Sequence, residues 1–135
     1  MRTDDLAVCL ALRRVVFIEE QGVPEADELD GLDGDAIHLL ARQGDRPVGS
    51  ARLLVMGDTG KVGRVCVLPE VRGQGIGAAL IREGVSIFRA MPGIRRVKLS
   101  AQVQALAFYA ALGFAATGPD YLDAGIVHRD MVMDL

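Results

Sequence analysis

Tryptophan is absent from this sequence, and phenylalanine and tyrosine supply only 4 % of its 135 residues. A core must then be filled by Leu, Val, Ile and Ala, and half of the residues are hydrophobic. That length and composition suit one domain around one core. Basic excess is lacking as well: the formal net charge is −3, which leaves no electrostatic footprint for nucleic acid. The densest basic cluster, Arg95, Arg96 and Lys98, is explained by a solvated strand edge. Only two cysteines occur, Cys9 and Cys66, with no CxxC pair. They cannot form a disulfide framework and read as buried reduced thiols. No apolar run approaches the about 20 residues needed to span a bilayer, and no charged leader precedes a signal-like core. The expectation is a soluble cytoplasmic protein with no membrane partner.

What is present is an ordered alternation of elements without linker, repeat or low-complexity tract, hence a single domain over residues 1–135. Asp4 or Asp5 caps a helix that runs to about Gln21, where Gly22 and Pro24 stop it. An acidic, turn-rich stretch spans 25–35. Strand-like runs follow at 36–42, 47–56 and 60–68, separated by glycine turns and read as an antiparallel meander. A second helix extends to about Ala90, a strand covers 95–101, a short helix 105–112, and 114–118 with 126–133 form a closing hairpin. The expected class is α+β, with one β-α-β crossover in the middle.

The strand at 62–68 leads through Pro69-Glu70 into Arg72-Gly73-Gln74-Gly75-Ile76-Gly77, which opens the second helix. Glycines at a helix N-terminus leave backbone N–H groups unshielded, and with the helix dipole they favour a phosphate. A Walker A lysine is missing, and the glycine spacing is not that of a dinucleotide fingerprint. The alternative is a glycine turn that packs the helix tightly on the sheet.

Val67-Leu-Pro-Glu-Val-Arg-Gly-Gln-Gly-Ile-Gly77 resembles motif A of the GCN5-related N-acetyltransferase (GNAT) superfamily, with Arg72, Gly75 and Gly77 in its defining positions. The resemblance implies that amides of Arg72–Gly77 hold the pyrophosphate of acetyl-CoA. It also implies that main-chain groups of Cys66, Val67 and Leu68 meet the pantetheine arm and the thioester oxygen. Gln102-Val-Gln-Ala-Leu-Ala-Phe-Tyr-Ala-Ala-Leu-Gly-Phe114 resembles motif B, with Gln102 where asparagine is usual and Tyr109 on the family's tyrosine. Gln102 is then a cofactor contact, and Tyr109 would protonate the departing CoA sulfur. A thiol of pKa about 8.5 is already a fair leaving group, so that proton assists rather than enables. The alternative leaves Phe108 and Tyr109 as packing.

The acceptor side is less defined. Leu6, Leu10, Arg13, Phe17 and Glu20 recur at 3–4 spacing and would share one stripe of the first helix, its two charges facing a cleft. The competing face uses Val8, Leu12, Val15 or Val16 and leaves both charges in water. The segments around Leu12–Gln21, Glu28-x-Asp30, Ala36-x-His38 and Ala51-Arg52-Leu53 resemble the ElaA-like branch of the superfamily. The same branch shares with acyl-homoserine-lactone synthases a pattern met here by Arg13, Phe17, Asp30, Asp33 and Arg52. Arg13 and Arg52 are therefore candidate substrate contacts, and those synthases a distant alternative. A base must take the proton of the attacking amine, and Glu20, His38 and His128 are the candidates. His38 opposes Ile37 and Leu39 along its strand, and a polar-face histidine without a role is the alternative. Two isolated histidines do not make a metal site. Cys66 as an acyl-carrying nucleophile has no activating partner in the pattern. The acidic stretch 25–35 either attracts a cationic acceptor or is a solvated turn.

The superfamily usually opens with a strand of about six residues, and Met1-Arg-Thr3 is all that precedes the first helix. A vestigial strand, or one upstream, would account for this. Its loss would leave strand 36–42 at the sheet margin, where dimerisation could supply the missing partner. The expected activity is direct transfer of an acetyl group from acetyl-CoA to an amine of a small molecule or peptide. A non-catalytic acyl-CoA-binding regulatory domain is the alternative.

Overall fold

A computed structural model describes all 135 residues. Seven strands form one mixed sheet in the order β1-β2-β3-β4-β5-β7-β6, numbered along the chain as Arg2–Thr3, Ile37–Gln43, Arg46–Met56, Thr59–Val67, Arg96–Gln102, Ala115–Asp123 and Ile126–Asp134. The helices are α1 (Leu6–Arg13), α2 (Glu25–Glu28), α3 (Ile76–Arg89) and α4 (Leu106–Ala111). The α+β class, the meander and the β4-α3-β5 crossover agree with the sequence reading. None of these helices is long and apolar enough to cross a membrane.

Strand alternation divides the core in two. One face of the sheet, with Leu39, Leu53, Val62, Val97, Leu99 and Met131, buries Leu80, Ile81, Val85 and Phe88 of α3. The other face, with Leu40, Val48 and Cys66, buries Cys9 and Leu12 of α1 and Val16 beyond it. Helix α1 covers β2, β3 and β4, so over β5, β7 and β6 this second face stays open. Close approach of α3 is set by small residues: a Cβ at Gly60 would lie 2.4 Å from the Phe88 ring, and one at Gly84 2.9 Å from Leu53.

The first strand is vestigial, one of the two alternatives the sequence left, with Arg2 opposite Leu39 and Thr3 opposite His38. Other sequence expectations need correction. The Met1 amino group donates to the Leu40 carbonyl at 2.9 Å. Part of the β2 edge is thus paired within the chain, which removes much of the argument for dimerisation there. The first helix does not keep one period to Gln21. From Arg14 to Glu20 it widens into a π-helix, so the stripe that joined Arg13 to Glu20 is broken. Arg13 is buried beside Cys9, Leu12 and Val16, whereas Glu20 is exposed. Strand β6 continues through Gly118-Pro119 to Asp123, because β6 is the sheet edge, where a proline forfeits no ladder bond.

Candidate active site

β4 and β5 run parallel and pair only from Thr59–Val62 with Arg96–Leu99. Beyond Val62 they part, while β4 stays paired with β3 up to Val67. A register shift opposite Ala51 and the left-handed Arg64 (φ 50°) mark a bulge at the parting point. A cleft of about 530 Å³ opens between the two strands, with Val62, Gly63, Val65, Leu99, Ser100, Gln102, Ala105 and Tyr109 in its walls. The Leu68 N–H bonds the Val48 carbonyl at 2.9 Å. Strand alternation then turns the polar groups of Val67 away from β3, toward the gap.

At the end of β4 the chain makes a short turn, Pro69–Val71, and enters the glycine loop. Gly73 and Gly75 both have φ +81°, and a Cβ on either would meet nothing within 4 Å. These glycines serve a left-handed backbone open to solvent, not tight packing against the sheet. Gly77 differs: a Cβ there would touch Phe108 at 3.7 Å and Val67 at 3.8 Å. The six amides from Gly73 to Ala78 donate to no acceptor in the protein; the first bonded N–H is that of Ala79, to Gly75. They line the N-terminus of a 14-residue helix, an anion cradle by geometry and by dipole. A pyrophosphate fits this donor set, and the unpaired edge of β4 fits an amide-bearing arm.

Arg72 does not point into that cradle. Its Nη1 and Nη2 donate to Glu20 at 2.7 and 2.5 Å, and its Nε donates to the Val67 carbonyl at 3.1 Å. The loop is thereby clamped to the end of the first helix. The Arg72 guanidinium holds the Glu20 carboxyl below the usual carboxylate range, which weakens Glu20 as a base. Gln102 bridges the cleft from the other side, its Nε2 donating to Gln21 Oε1 at 3.0 Å. Tyr109 sits in the wall with its ring edge-on to Phe108 and Phe114, at 5.0 and 6.3 Å. Burial pushes its phenol up, so it remains protonated at neutral pH and its hydroxyl has no protein partner. The Cys66 side chain lies in the α1 core with its thiol pushed up to about 12 by burial, which leaves no thiolate to carry an acyl group.

His38 does not line this cleft. Its Nε2–H donates to the Asp33 carbonyl at 2.9 Å, and its ring lines a separate cavity near Arg2 and Leu6. Arg13 and Arg52 spend their donors inside the protein. Arg13, 1 % exposed, donates from Nε to Glu28 at 2.5 Å and from Nη1 and Nη2 to Asp33 at 2.7 and 3.2 Å. Arg52 makes a bidentate pair with Asp30, both bonds at 2.8 Å. Arg64 donates to the carbonyls of Asp27 and Glu28 at 3.2 Å. Three guanidiniums and three carboxylates thus fold segment 25–35 over the cleft, where Asp27, Asp30 and Leu32 become its outer wall. Most of the acidic stretch is solvated, but Glu28 is buried and Asp33 half-buried against Arg13, and the more exposed Asp30 pairs with Arg52. His128, the third base candidate of the sequence, lines the cleft.

A family profile for the acetyltransferase (GNAT) domain matches residues 16–135. A relative from Bacillus subtilis is 39 % identical over 127 residues, 92 % of this chain and 86 % of its own length. ElaA of Escherichia coli is 31 % identical over 139 residues, covering 100 % of this chain and 91 % of ElaA. The ElaA crystal structure superposes with a TM-score of 0.85 at 30 % identity over 98 % of this chain and 92 % of that one. The structure of an acyl-CoA N-acyltransferase from Pseudomonas aeruginosa gives 0.85 at 33 % identity, over 96 % and 90 %. A matching family profile over most of the chain, together with relatives of more than 30 % identity, makes the assignment: the chain belongs to the GNAT acetyltransferases.

Proposed function

We propose that this protein transfers an acetyl group from acetyl-CoA to an amine of a small molecule or peptide, by direct attack within a ternary complex. The observation that carries the reading is an unfilled amide cradle beside a cleft that holds an acid. The amides of Gly73–Ala78 have no acceptor in the protein, the loop touches the short helix of Tyr109 where Gly77 approaches Phe108, and Tyr109 offers an unpartnered phenol in the cleft wall. Amides of Gly73, Gln74, Gly75, Ile76 and Gly77 would take the pyrophosphate. The main chain of Val67, facing the gap between Cys66 and Leu68, would take the pantetheine arm, and Gln102 would flank it. Arg72 orients the loop through Glu20 rather than touching phosphate. The thioester carbonyl oxygen would accept from a β4 amide, a bond that strengthens as negative charge develops on that oxygen in the tetrahedral intermediate. Tyr109 would return a proton to the leaving sulfur. Arg13 and Arg52 act through segment 25–35, which they fix as the acceptor wall.

A non-catalytic acyl-CoA-binding domain gains support from two facts: Glu20 is tied to Arg72, and His38 lies outside the cleft. One experiment separates the two. Acetyl-CoA should raise the melting temperature, and a panel of alkylamines, diamines, amino acids and short peptides should include one that provokes thiol release. Binding without release across the panel favours the regulatory reading. No thermal shift with CoA would sink both.

A further inference from the structure

We infer that His128 is the general base of the transfer, taking the amine's proton on its Nε2; this rests on the acetyl-transfer reading above. His128 reaches the cleft because of strand register. It is paired with Gln102 on β5 and with Tyr121 on β6. That register is set by a two-residue turn between the paired Asp123 and Ile126, with Ala124 at φ 51° and Gly125 at φ 78°. Both are left-handed, the turn type whose twist suits a hairpin. A slip by one residue would turn the imidazole to the other face.

The ring's protonation is fixed by its partner. Nδ1 lies 2.8 Å from the Ile126 carbonyl oxygen, and a carbonyl only accepts. Nδ1 must carry the hydrogen, so the neutral ring keeps its lone pair on Nε2. Nε2 bonds nothing in the protein and is not sealed from the cleft. The ring is also held in place. It stacks on Tyr121 at 6.2 Å between centroids, with 23° between planes. The Tyr121 hydroxyl donates to Asp130 at 2.6 Å and also bonds Ser100, and Lys98 pairs with Asp130 at 3.2 Å. Tyr121 is therefore a positioning residue, anchored on the open face of the sheet. The charged or titratable groups around the ring are Tyr121 and Asp123 from β6, Asp130 on its own strand and Lys98 from β5. Across the cleft stand Lys61 and Arg64 from β4 and the carboxylates of segment 25–35.

The step balances without any further reagent. A neutral amine attacks the thioester carbonyl carbon, the C–N bond forms, and the nitrogen's proton passes to Nε2 of His128. The C–S bond breaks, and the sulfur leaves with the phenol proton of Tyr109. Imidazolium and phenolate are then restored by proton exchange with solvent.

The test compares wild type with His128→Gln, using acetyl-CoA and whichever amine of the panel the wild type acetylates best. Loss of a general base should lower kcat/KM for the amine about 10²–10⁴-fold, with the acetyl-CoA melting shift retained. The ionisation on the acid side of the pH profile should vanish. His128→Ala should recover part of its activity with added imidazole. The assignment is overturned if His128→Gln stays within about threefold of wild type. It is equally overturned if the variant loses its acetyl-CoA shift and imidazole restores nothing, because the ring is then structural. A wild type that binds acetyl-CoA yet acetylates no amine brings down the transfer reading and the base with it. An active wild type beside an unimpaired variant brings down the base alone.

Discussion

Arg13→Leu tests whether the buried charge network builds the acceptor wall. The side chain is 1 % exposed, and its loss strands Glu28, itself 3 % exposed. Glu28 keeps only Arg64, at 3.6 Å, and Asp33 keeps Arg52, at 3.3 Å. The only unpaired donors nearby are the buried Nε atoms of Arg52 and Arg64, and Arg64 Nε lies 3.6 Å from Glu28, beyond hydrogen-bond reach. Removing one member of a buried pair costs about 3–5 kcal/mol. At roughly 3–5 °C per kcal/mol for a chain of this length, the melting temperature should fall by about 10–20 °C. The double variant Arg13→Leu/Glu28→Leu removes the stranded charge and should recover part of that loss. In the folded fraction, release of segment 25–35 should raise KM for the amine while acetyl-CoA affinity holds, because the donor cradle lies elsewhere. The acid side carries a second signature. Asp30 and Asp33 are held below the usual carboxylate range, Asp30 chiefly by its bonds to Arg52, and Asp33 by Arg13 and Arg52 against an opposing burial effect. A lowered folded pKa stabilises the fold above the unfolded value of about 3.9 and is lost as pH falls through the folded value. Melting curves of the wild type should therefore drop steeply below about pH 4, and those of Arg13→Leu less so. A single variant that loses under about 1 kcal/mol, or a double variant less stable than the single, would refute this account.

Gly75→Val meets no atom within 4 Å but must hold φ near +81°; it should cost about 1–2 kcal/mol of stability. By turning loop amides away it should weaken CoA binding roughly tenfold, equivalent to about 1.4 kcal/mol in a calorimetric titration. Tyr109→Phe should lower kcat about tenfold, less than the ~10²–10⁴-fold of a full general acid, and should leave KM for acetyl-CoA in place. Cys9 and Cys66 are both buried, and the Cys66 thiol is pushed up to about 12. An aromatic disulfide reagent at pH 8 should therefore react only at the rate of unfolding. Because the unfolded thiol ionises first, stability should decline as pH rises above the ordinary thiol range.

The donor side was legible because it is local. The proline, the arginine and the glycines of 69–77 lie within nine residues and act through their own backbone, so no long-range packing was needed to find them. The acceptor side was not local. The partners of Arg13 lie 15 and 20 residues on, and the Asp30 partner of Arg52 lies 22 residues back. An acidic run that reads as solvated carries no mark of guanidiniums folded beneath it. Helical periodicity failed at Glu20 because seven residues of π-helix change the turn angle after Arg13. The sequence does not single out His128 from Glu20 and His38 for a related reason. Its position follows from pairing with β5 and β6, and the Ala124-Gly125 turn is weaker as a sequence signal than Asn-Gly or Asp-Gly. The Ala-Gly pair also follows Gly118-Pro119, a dipeptide that reads as a break although β6 runs through it to Asp123.

The parting of β4 from β5 divides the molecule's labour between main chain and side chains. On the proposed reading, recognition of the donor falls to peptide groups, which every residue but proline supplies in the same form. Side-chain substitutions along 63–67 can thus leave that half of the reaction largely untouched, provided the bulge persists. The opposite wall is made of side chains on segment 25–35 and the β6–β7 turn, where each replacement alters shape or charge. One gap in a sheet thereby gives a constant half and a changeable half. New acceptors can be acquired on this scaffold without rebuilding the means of holding the donor.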